Sequence, residues 1–249
     1  MEYLEDFAII KTTGKDAIKI LHNISTNSIK EKDFSIIYSC LLTPNGRFMF
    51  DFLFIQSHQN YIVINKNVQN DFIKYISMYK MSADFSLENT SLKLLHSFVQ
   101  KDGFLADPRN DKLGFYAIGE AGSVDKTKEY HDNRIKLKIA DGFHDLTQKE
   151  SIILDYGFDA LNAISYTKGC YLGQELISRT KHTGVVRKKV CGFKSEICFE
   201  KGQDISQNEE KVGKVLGCCG GNYLALINIE KADFYKEFNV GSSTVEILQ

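Results

Sequence analysis

Apolar positions recur in a helix, a meander and a second helix over the first third of the chain. In TGKDAIKILHNIST, Ala17, Ile18, Leu21 and Ile24 fall on one stripe, which predicts an amphipathic helix opened by Thr13 and Gly14. The run FSIIYSCLLTPNGRFMFDFLFIQSHQNYIVIN reads as three antiparallel strands. Pro44-Asn45-Gly46 turns the first strand into the second, and Ser57 to Asn60 separate the second from the third. Phe72, Ile73, Ile76 and Tyr79 then return at helical spacing, so a second helix is predicted to pack on that sheet.

A second α+β unit follows. Residues 85–87 and 92–99 are strand-like, Pro108 marks a loop before a further strand, and the polar stretch SVDKTKEYHDNRIKLKIADG predicts a helix ending near Gly142. LGQELISRTKHTG predicts a short helix stopped by Gly184. Beyond about Val185 the text changes to short strands between glycines, KKVCGFKS, KVGKVLGCC, YLALINI and STVEIL, which predicts a small β-barrel. The expected organisation is α+β, with units over about 1–90 and 91–184, a barrel over 185–249, and all three packed into one body.

Composition narrows the function classes. With 43% hydrophobic and 25% charged residues and a net charge of -1, the chain has no global field that would draw it to nucleic acid or anionic lipid. No stretch approaches the roughly 20 apolar residues of a membrane span. The start, MEYLEDFAII, lacks the basic opening of a secretory signal, so the expected location is the cytoplasm, or the mitochondrial matrix for a processed eukaryotic protein. The six cysteines contain no C-x-x-C pair, which argues against a zinc site or a disulfide framework and for reduced thiols. Cys191 and Cys198 lie in strand-like text where burial is expected, and vicinal Cys218-Cys219 are badly spaced to share a metal. Phosphate-loop, dinucleotide-turn and H-x-E patterns are missing.

The densest chemistry is TKGCYLGQE, residues 167–175. A helix starting just after Cys170 would set its sulfur near unpaired N–H groups, with the Lys168 cation beside it, and both favour a thiolate. Gly169 and Gly173 would admit close backbone approach, and Gln174 and Glu175 on the first turn would suit a polar ring edge such as a pterin's. The bland alternative is a buried thiol between two solvated charges. His182, at the helix end, serves the dipole on the same plain reading.

The wider stretch ISYTKGCYLGQELISRTKHTGVVRKKV closely resembles the K-G-C-Y-x-G-Q-E signature of the YgfZ-type folate-binding proteins, relatives of the glycine-cleavage T-protein, an aminomethyltransferase. It looks most like the branch with bacterial homologues of the mitochondrial 4Fe-4S assembly factor. TGKDAIKILHNIST, LLTPNGRFMFDF and ADPRNDKLGF agree in order, so the likeness runs from about residue 3 to the carboxyl end. The resemblance implies an aminomethyltransferase-like fold, with ferredoxin-like α+β units around a central tetrahydrofolate pocket and a carboxyl-terminal β-barrel. It implies a role in assembling or repairing iron–sulfur proteins, including radical-SAM tRNA-modifying enzymes, with A-type carriers and 4Fe-4S clients as partners and no direct nucleic-acid or membrane contact.

Carried over by position, Cys170 is the residue the resemblance marks as required, and a transient ligand of a shared cluster. Lys168, Tyr171, Gln174 and Glu175 would shape the folate pocket and hold the loop. Arg109 in ADPR would face the same cavity and pair with folate carboxylates, or else cap its own loop. Asp51 in FMFDF falls where the T-protein has a functional aspartate, with the family's pair of acids here reduced to one. The leading expectation is an assembly factor rather than an enzyme, and the alternative is a folate-dependent aminomethyl transferase.

Overall fold

The computed structural model describes every residue except Ala121, Val185 and Gln249, so Val185, the expected start of the barrel, lies outside the described residues. The elements in chain order are β1 (Glu2–Leu4), β2 (Phe7–Thr13), α1 (Ala17–Ile24), β3 (Ser35–Leu42), β4 (Phe48–Gln56), β5 (Asn60–Asn65), α2 (Gln69–Ser77) and β6 (Ser86–Asn89). They form an antiparallel sheet in the order β3-β4-β5-β2-β6. The period of two sorts β4 between its faces. Phe50, Phe52 and Phe54 pack with Ala17 and Leu21 of α1 and Phe72 and Ile76 of α2, while Leu53 and Ile55 face the centre of the molecule. Each buried phenylalanine contributes about 1.5–3 kcal/mol.

Helix α1 starts at Ala17 and not at Thr13 or Gly14, because Thr13 still pairs with Ser86 and Gly14, at φ 102, turns the chain. The Pro44-Asn45-Gly46 turn stands as expected, with the Gly46 N–H donating to the Thr43 carbonyl at 2.9 Å.

The second sheet contains β7 (Lys93–Ser97), β8 (Leu105–Ala106), β9 (Phe115–Gly119) and β10 (Val124–Asp125), in the order β10-β1-β7-β9-β8. It takes its second strand from residues 2–4, so the division near residue 90 is a division of sequence and not of structure. The polar stretch is two helices rather than one. Helix α3 (Thr127–Lys136) stops where Lys138 adopts φ 59, and α4 (Gly142–Asp145) opens on the Asp141 carboxylate, which accepts from the His144 N–H at 3.0 Å.

After α5 (Gln174–Thr183), closed by Gly184 at φ 67, come β11 (Lys188–Lys194), β12 (Asp204–Gln207), β13 (Glu210–Cys219), β14 (Asn222–Asn228), β15 (Phe238–Val240) and β16 (Ser243–Val245). The order is β11-β14-β13-β12-β15-β16, and the sheet curls until Leu248 exchanges backbone hydrogen bonds of 3.0 and 2.7 Å with Gly192 of β11. One buried cluster joins the three sheets, running from Tyr38 and Tyr116 through Tyr130 and Ile177 to Val190 and Leu224. Among the described residues no helix is long and apolar enough to cross a membrane.

Candidate functional site

The signature loop docks on the β3–β4 turn through two glycines. Gly173 (φ 79) and Gly46 (φ 75) lie face to face: a Cβ on Gly173 would stand 2.5 Å from the Thr43 carbonyl oxygen and 2.9 Å from the Gly46 Cα. A Cβ on Gly46 would meet the Gly173 oxygen at 2.9 Å. Two motifs far apart in sequence thus meet at positions that only glycine can fill. Gly169 makes no such contact, since a Cβ there meets nothing within 4 Å.

Gly173 is also the N-cap of α5, which begins at Gln174, so Cys170 lies before the helix and not at its first turn. The Gln174 side chain is used locally, its Oε1 accepting from the Tyr171 N–H at 3.2 Å. Glu175 is exposed on the first turn, with no ion pair among the described residues. Neither residue lines the two cavities described below.

Lys168 is not a counter-ion for the thiol. Its ammonium donates to the carbonyls of His22, Ser25 (2.6 Å) and Asn27 (3.2 Å), at the carboxyl end of α1, and stands 5.0 Å over the Tyr171 ring. Helix ends leave carbonyls unpaired, and a cation there answers both hydrogen-bonding and dipole. Burial draws Lys168 down to about 8. Tyr171 is buried in the central cluster, and burial raises its hydroxyl pKa. Cys170 is exposed between these two anchors. The arrangement therefore offers a solvent-facing thiol on a loop pinned by a lysine, a tyrosine and a glycine.

Arg109 is buried and committed to its own loop. It grips Asp107 in bidentate fashion, Nε to Oδ1 at 3.0 Å and Nη2 to Oδ2 at 2.6 Å, donates to the Tyr130 hydroxyl at 2.7 Å, and lies 5.0 Å over the Tyr38 ring. Although burial opposes it, the Asp107 charge holds the guanidinium well above its ordinary value. Loop capping is thus the role the structure gives Arg109. On the far side of Tyr38, the hydroxyl donates to Asp51 Oδ2 at 2.8 Å, and the Gly142 N–H adds a second bond at 3.1 Å. Burial, and then the Asp141 charge, push Asp51 up to about 6 against these donors.

Arg109 and Asp51 open onto different cavities. A cavity of about 520 Å3 lies between the segment that follows α3 and β11 of the barrel, lined by Arg109, Ile139, Asp155, Tyr156, Leu161 and Lys188 among others. A second, of about 420 Å3, is lined by Asp51 with Phe48, Phe50, Phe143 and Lys201. None of Lys168, Cys170, Tyr171, Gln174 and Glu175 lines either cavity. The expected single pocket is therefore resolved into a thiol surface and two separate hollows. Asp155, which sequence reasoning missed, puts a carboxylate in the larger one; burial raises its pKa, while Lys188, at 3.5 Å, draws it down.

A second group invisible in the sequence is Asp6, His131 and His144, whose ligating atoms all lie within 4.8 Å of one another. Its hydrogen bonds spend both ring nitrogens of His131 on protein partners rather than on a metal. Arg134 Nε–H donates to His131 Nδ1 at 3.1 Å, so that nitrogen carries no proton and Nε2–H donates to Asp6 Oδ2 at 3.1 Å. A metal on Nε2 would require the proton on Nδ1, facing another donor. Arg134 cannot swing away, being held to Asp145 Oδ2 at 2.6 Å and the Ile139 carbonyl at 2.9 Å. Among the cysteines, Cys40 and Cys191 are buried and Cys198 is exposed, against expectation, because it follows β11 in a loop.

No protein-family model matches the chain. It is similar to the iron–sulfur cluster assembly factor IBA57 homolog, mitochondrial, of Mycosarcoma maydis, 26% identical over 216 residues, covering 73% of this chain and 54% of that protein. It is similar also to the mouse iron–sulfur cluster assembly factor IBA57, mitochondrial, 25% identical over 234 residues, covering 78% of this chain and 65% of the mouse protein. The chain thus spans between about half and two thirds of the length of these relatives. Among solved structures, the glycine cleavage system aminomethyltransferase T from Bartonella henselae superposes with a TM-score of 0.73 at 10% identity, over 99% of this chain and 83% of the other. The resemblance carried by TKGCYLGQE is borne out: the chain is similar to the mitochondrial IBA57 iron–sulfur cluster assembly factors and has the fold of the glycine-cleavage aminomethyltransferase.

Proposed function

We propose that this protein is an accessory factor for the assembly or repair of iron–sulfur proteins, mainly 4Fe-4S, that binds tetrahydrofolate and works through Cys170 with a cluster carrier. The observation that carries this reading is the placement of Cys170, exposed on a loop held from both sides by Lys168 and Tyr171. A rigid, outward thiol suits handover at an interface. One thiolate cannot hold a 4Fe-4S cluster, which takes four cysteine ligands, so the cluster is cargo shared with a partner. An A-type carrier supplies the remaining ligands, and 4Fe-4S enzymes such as the radical-SAM tRNA-modifying class receive the product.

The larger cavity is the candidate site for the folate. Its volume of about 520 Å3 lies in the range of small-molecule sites, and Leu137, Ile139, Leu154, Tyr156 and Leu161 offer apolar surface to a planar ring. Asp155 would accept the ring's amino and amide hydrogens, and Lys188, 3.5 Å from it, would donate to the ring's carbonyl. When bound, the cofactor supplies a reduced pterin; the chain's residues orient it and keep its ring from water. Two measurements test the reading. Calorimetry with tetrahydrofolate should show binding that Asp155→Asn weakens about tenfold or more. In a strain lacking the gene, Cys170→Ser should fail to restore 4Fe-4S enzyme activity; full restoration would sink the assignment.

The fold itself favours a second reading, folate-dependent aminomethyl transfer, since the superposed protein is an aminomethyltransferase. Robust formation of methylene-tetrahydrofolate from an aminomethylated lipoyl protein would establish it in place of the first.

A further inference from the structure

Two exposed thiols that the sequence keeps apart, Cys198 and Cys218, are brought by the barrel to one hydroxyl. The loop after β11 leaves the barrel wall at Ser195, whose N–H donates to the Gly221 carbonyl at 3.1 Å. It rejoins the wall on β13, where the Gly202 N–H donates to the Val215 carbonyl at 2.8 Å. Because β14 stands between β11 and β13, the loop crosses the end of β14 and passes over Tyr223. The crossing is pinned there, since the Tyr223 hydroxyl donates to the Ile197 carbonyl at 2.9 Å and accepts from the Phe199 N–H at 3.3 Å. Cys198 is the residue held between these two bonds.

Cys218 reaches the same hydroxyl from the sheet. It is the cross-strand partner of Tyr223, so the two side chains share a face with Phe193, whose ring stacks on Tyr223 with centroids 4.8 Å apart. Burial, and after it the Cys218 and Cys198 thiols, raise the Tyr223 pKa against the Phe199 N–H, which lowers it. Cys219 is turned the other way, its thiol donating to the Lys128 carbonyl of α3 at 3.6 Å. Cys40 and Cys191 are buried. Of the barrel's four cysteines, the two that share a neighbour are also the two that solvent reaches.

We propose that Cys198 and Cys218 form a thiol–disulfide exchange site that takes a low-molecular-weight disulfide of the glutathione class and closes to an intramolecular disulfide. The thiolate of one cysteine attacks a sulfur of glutathione disulfide, whose S–S bond breaks and releases one glutathione thiolate. The second cysteine thiolate then attacks the protein sulfur of the mixed disulfide and expels the other glutathione. The protein dithiol loses two electrons to the reagent's disulfide, and its two protons go to solvent. In a reducing compartment the dithiol form holds, so closure answers oxidation. The same loop carries Lys201, which donates to the His144 carbonyl and lines the cavity of Asp51, so closure ties one wall of that cavity to the barrel. The inference stands apart from the folate and cluster readings.

The test is incubation of the reduced, full-length chain with glutathione disulfide, then alkylation under denaturing conditions and peptide mapping by mass spectrometry. The wild type should yield a peptide pair joined through Cys198 and Cys218, with neither residue retaining glutathione. In Cys198→Ser the reaction should stop with glutathione on Cys218, and in Cys218→Ser with glutathione on Cys198. Both replaced side chains are exposed, so the fold is kept. The oxidised wild type should melt several degrees above the reduced form, a shift that dithiothreitol reverses and that neither variant shows. Glutathione retained on both cysteines of the wild type overturns the proposal, as does a link from either one to Cys219 or Cys170. Failure of both cysteines to react overturns it too.

Discussion

Gly46 and Gly173 touch: the carbonyl oxygen of Gly173 lies 2.9 Å from where a Cβ on Gly46 would be. The contact fixes the signature loop, and with it Cys170, against the rigid β3–β4 hairpin. Gly173→Ala faces both a left-handed φ of 79 and a Cβ 2.5 Å from the Thr43 oxygen. It should cost about 2 kcal/mol or more and lower the melting temperature by several degrees. Gly169→Ala, in open space, should change stability by less than about 0.5 kcal/mol. Thermal unfolding of the two variants checks the contrast.

Lys168 ties the same loop to α1. In Lys168→Met the carbonyls of His22, Ser25 and Asn27 lose their shared donor. The expected loss is about 1–3 kcal/mol in denaturant unfolding, with the amides around residues 22–27 exchanging faster. Tetrahydrofolate affinity should be unchanged, since Lys168 does not line the cavity.

Removing one side of the buried Arg134–Asp145 pair, 2.6 Å apart, leaves an uncompensated carboxylate whose Oδ1 already lacks a hydrogen-bond partner. Arg134→Met should cost about 3–5 kcal/mol. The variant also frees His131 Nδ1, so the ring that bonds Asp6 loses its fixed tautomer. Urea unfolding together with imidazole nitrogen shifts would read both effects.

Asp51 sets a pH dependence. Its carboxyl titrates at about 6 in the folded chain against an ordinary 3.8. Between those values the folded state binds more protons than the unfolded one, so this group's contribution is complete below the lower value and is lost as pH rises through the upper. Asp51→Asn keeps an acceptor for Tyr38 and Gly142 and removes the charge. Its melting temperature relative to wild type should therefore rise from about pH 4 to about pH 7. A difference that does not change across this window would contradict the burial of Asp51.

Local order was legible where periodicity and turn chemistry agree. The stripe of Ala17, Leu21 and Ile24, the Pro44-Asn45-Gly46 turn and the Gly184 stop all stand in the structure. The motif TKGCYLGQE also located Cys170. What stayed hidden is long-range: β1 leaving its neighbours for β7, Arg109 spent on Asp107 and Tyr130, Asp155 entering a cavity with Lys188, and Asp6 meeting His131 and His144. No spacing rule encodes these contacts, because each joins elements that only tertiary packing brings together. The polar stretch over 123–142 misled for a nearer reason, since the left-handed Lys138 breaks a helical pattern with a residue that carries no turn signal.

The most direct test of the central claim is anaerobic mixing of the purified protein with a cluster-loaded A-type carrier, followed by visible absorption and native mass. Wild type should form a complex that retains the cluster, and Cys170→Ser, whose exposed side chain leaves the fold intact, should not. Equal complex formation by both proteins would contradict the role assigned to Cys170.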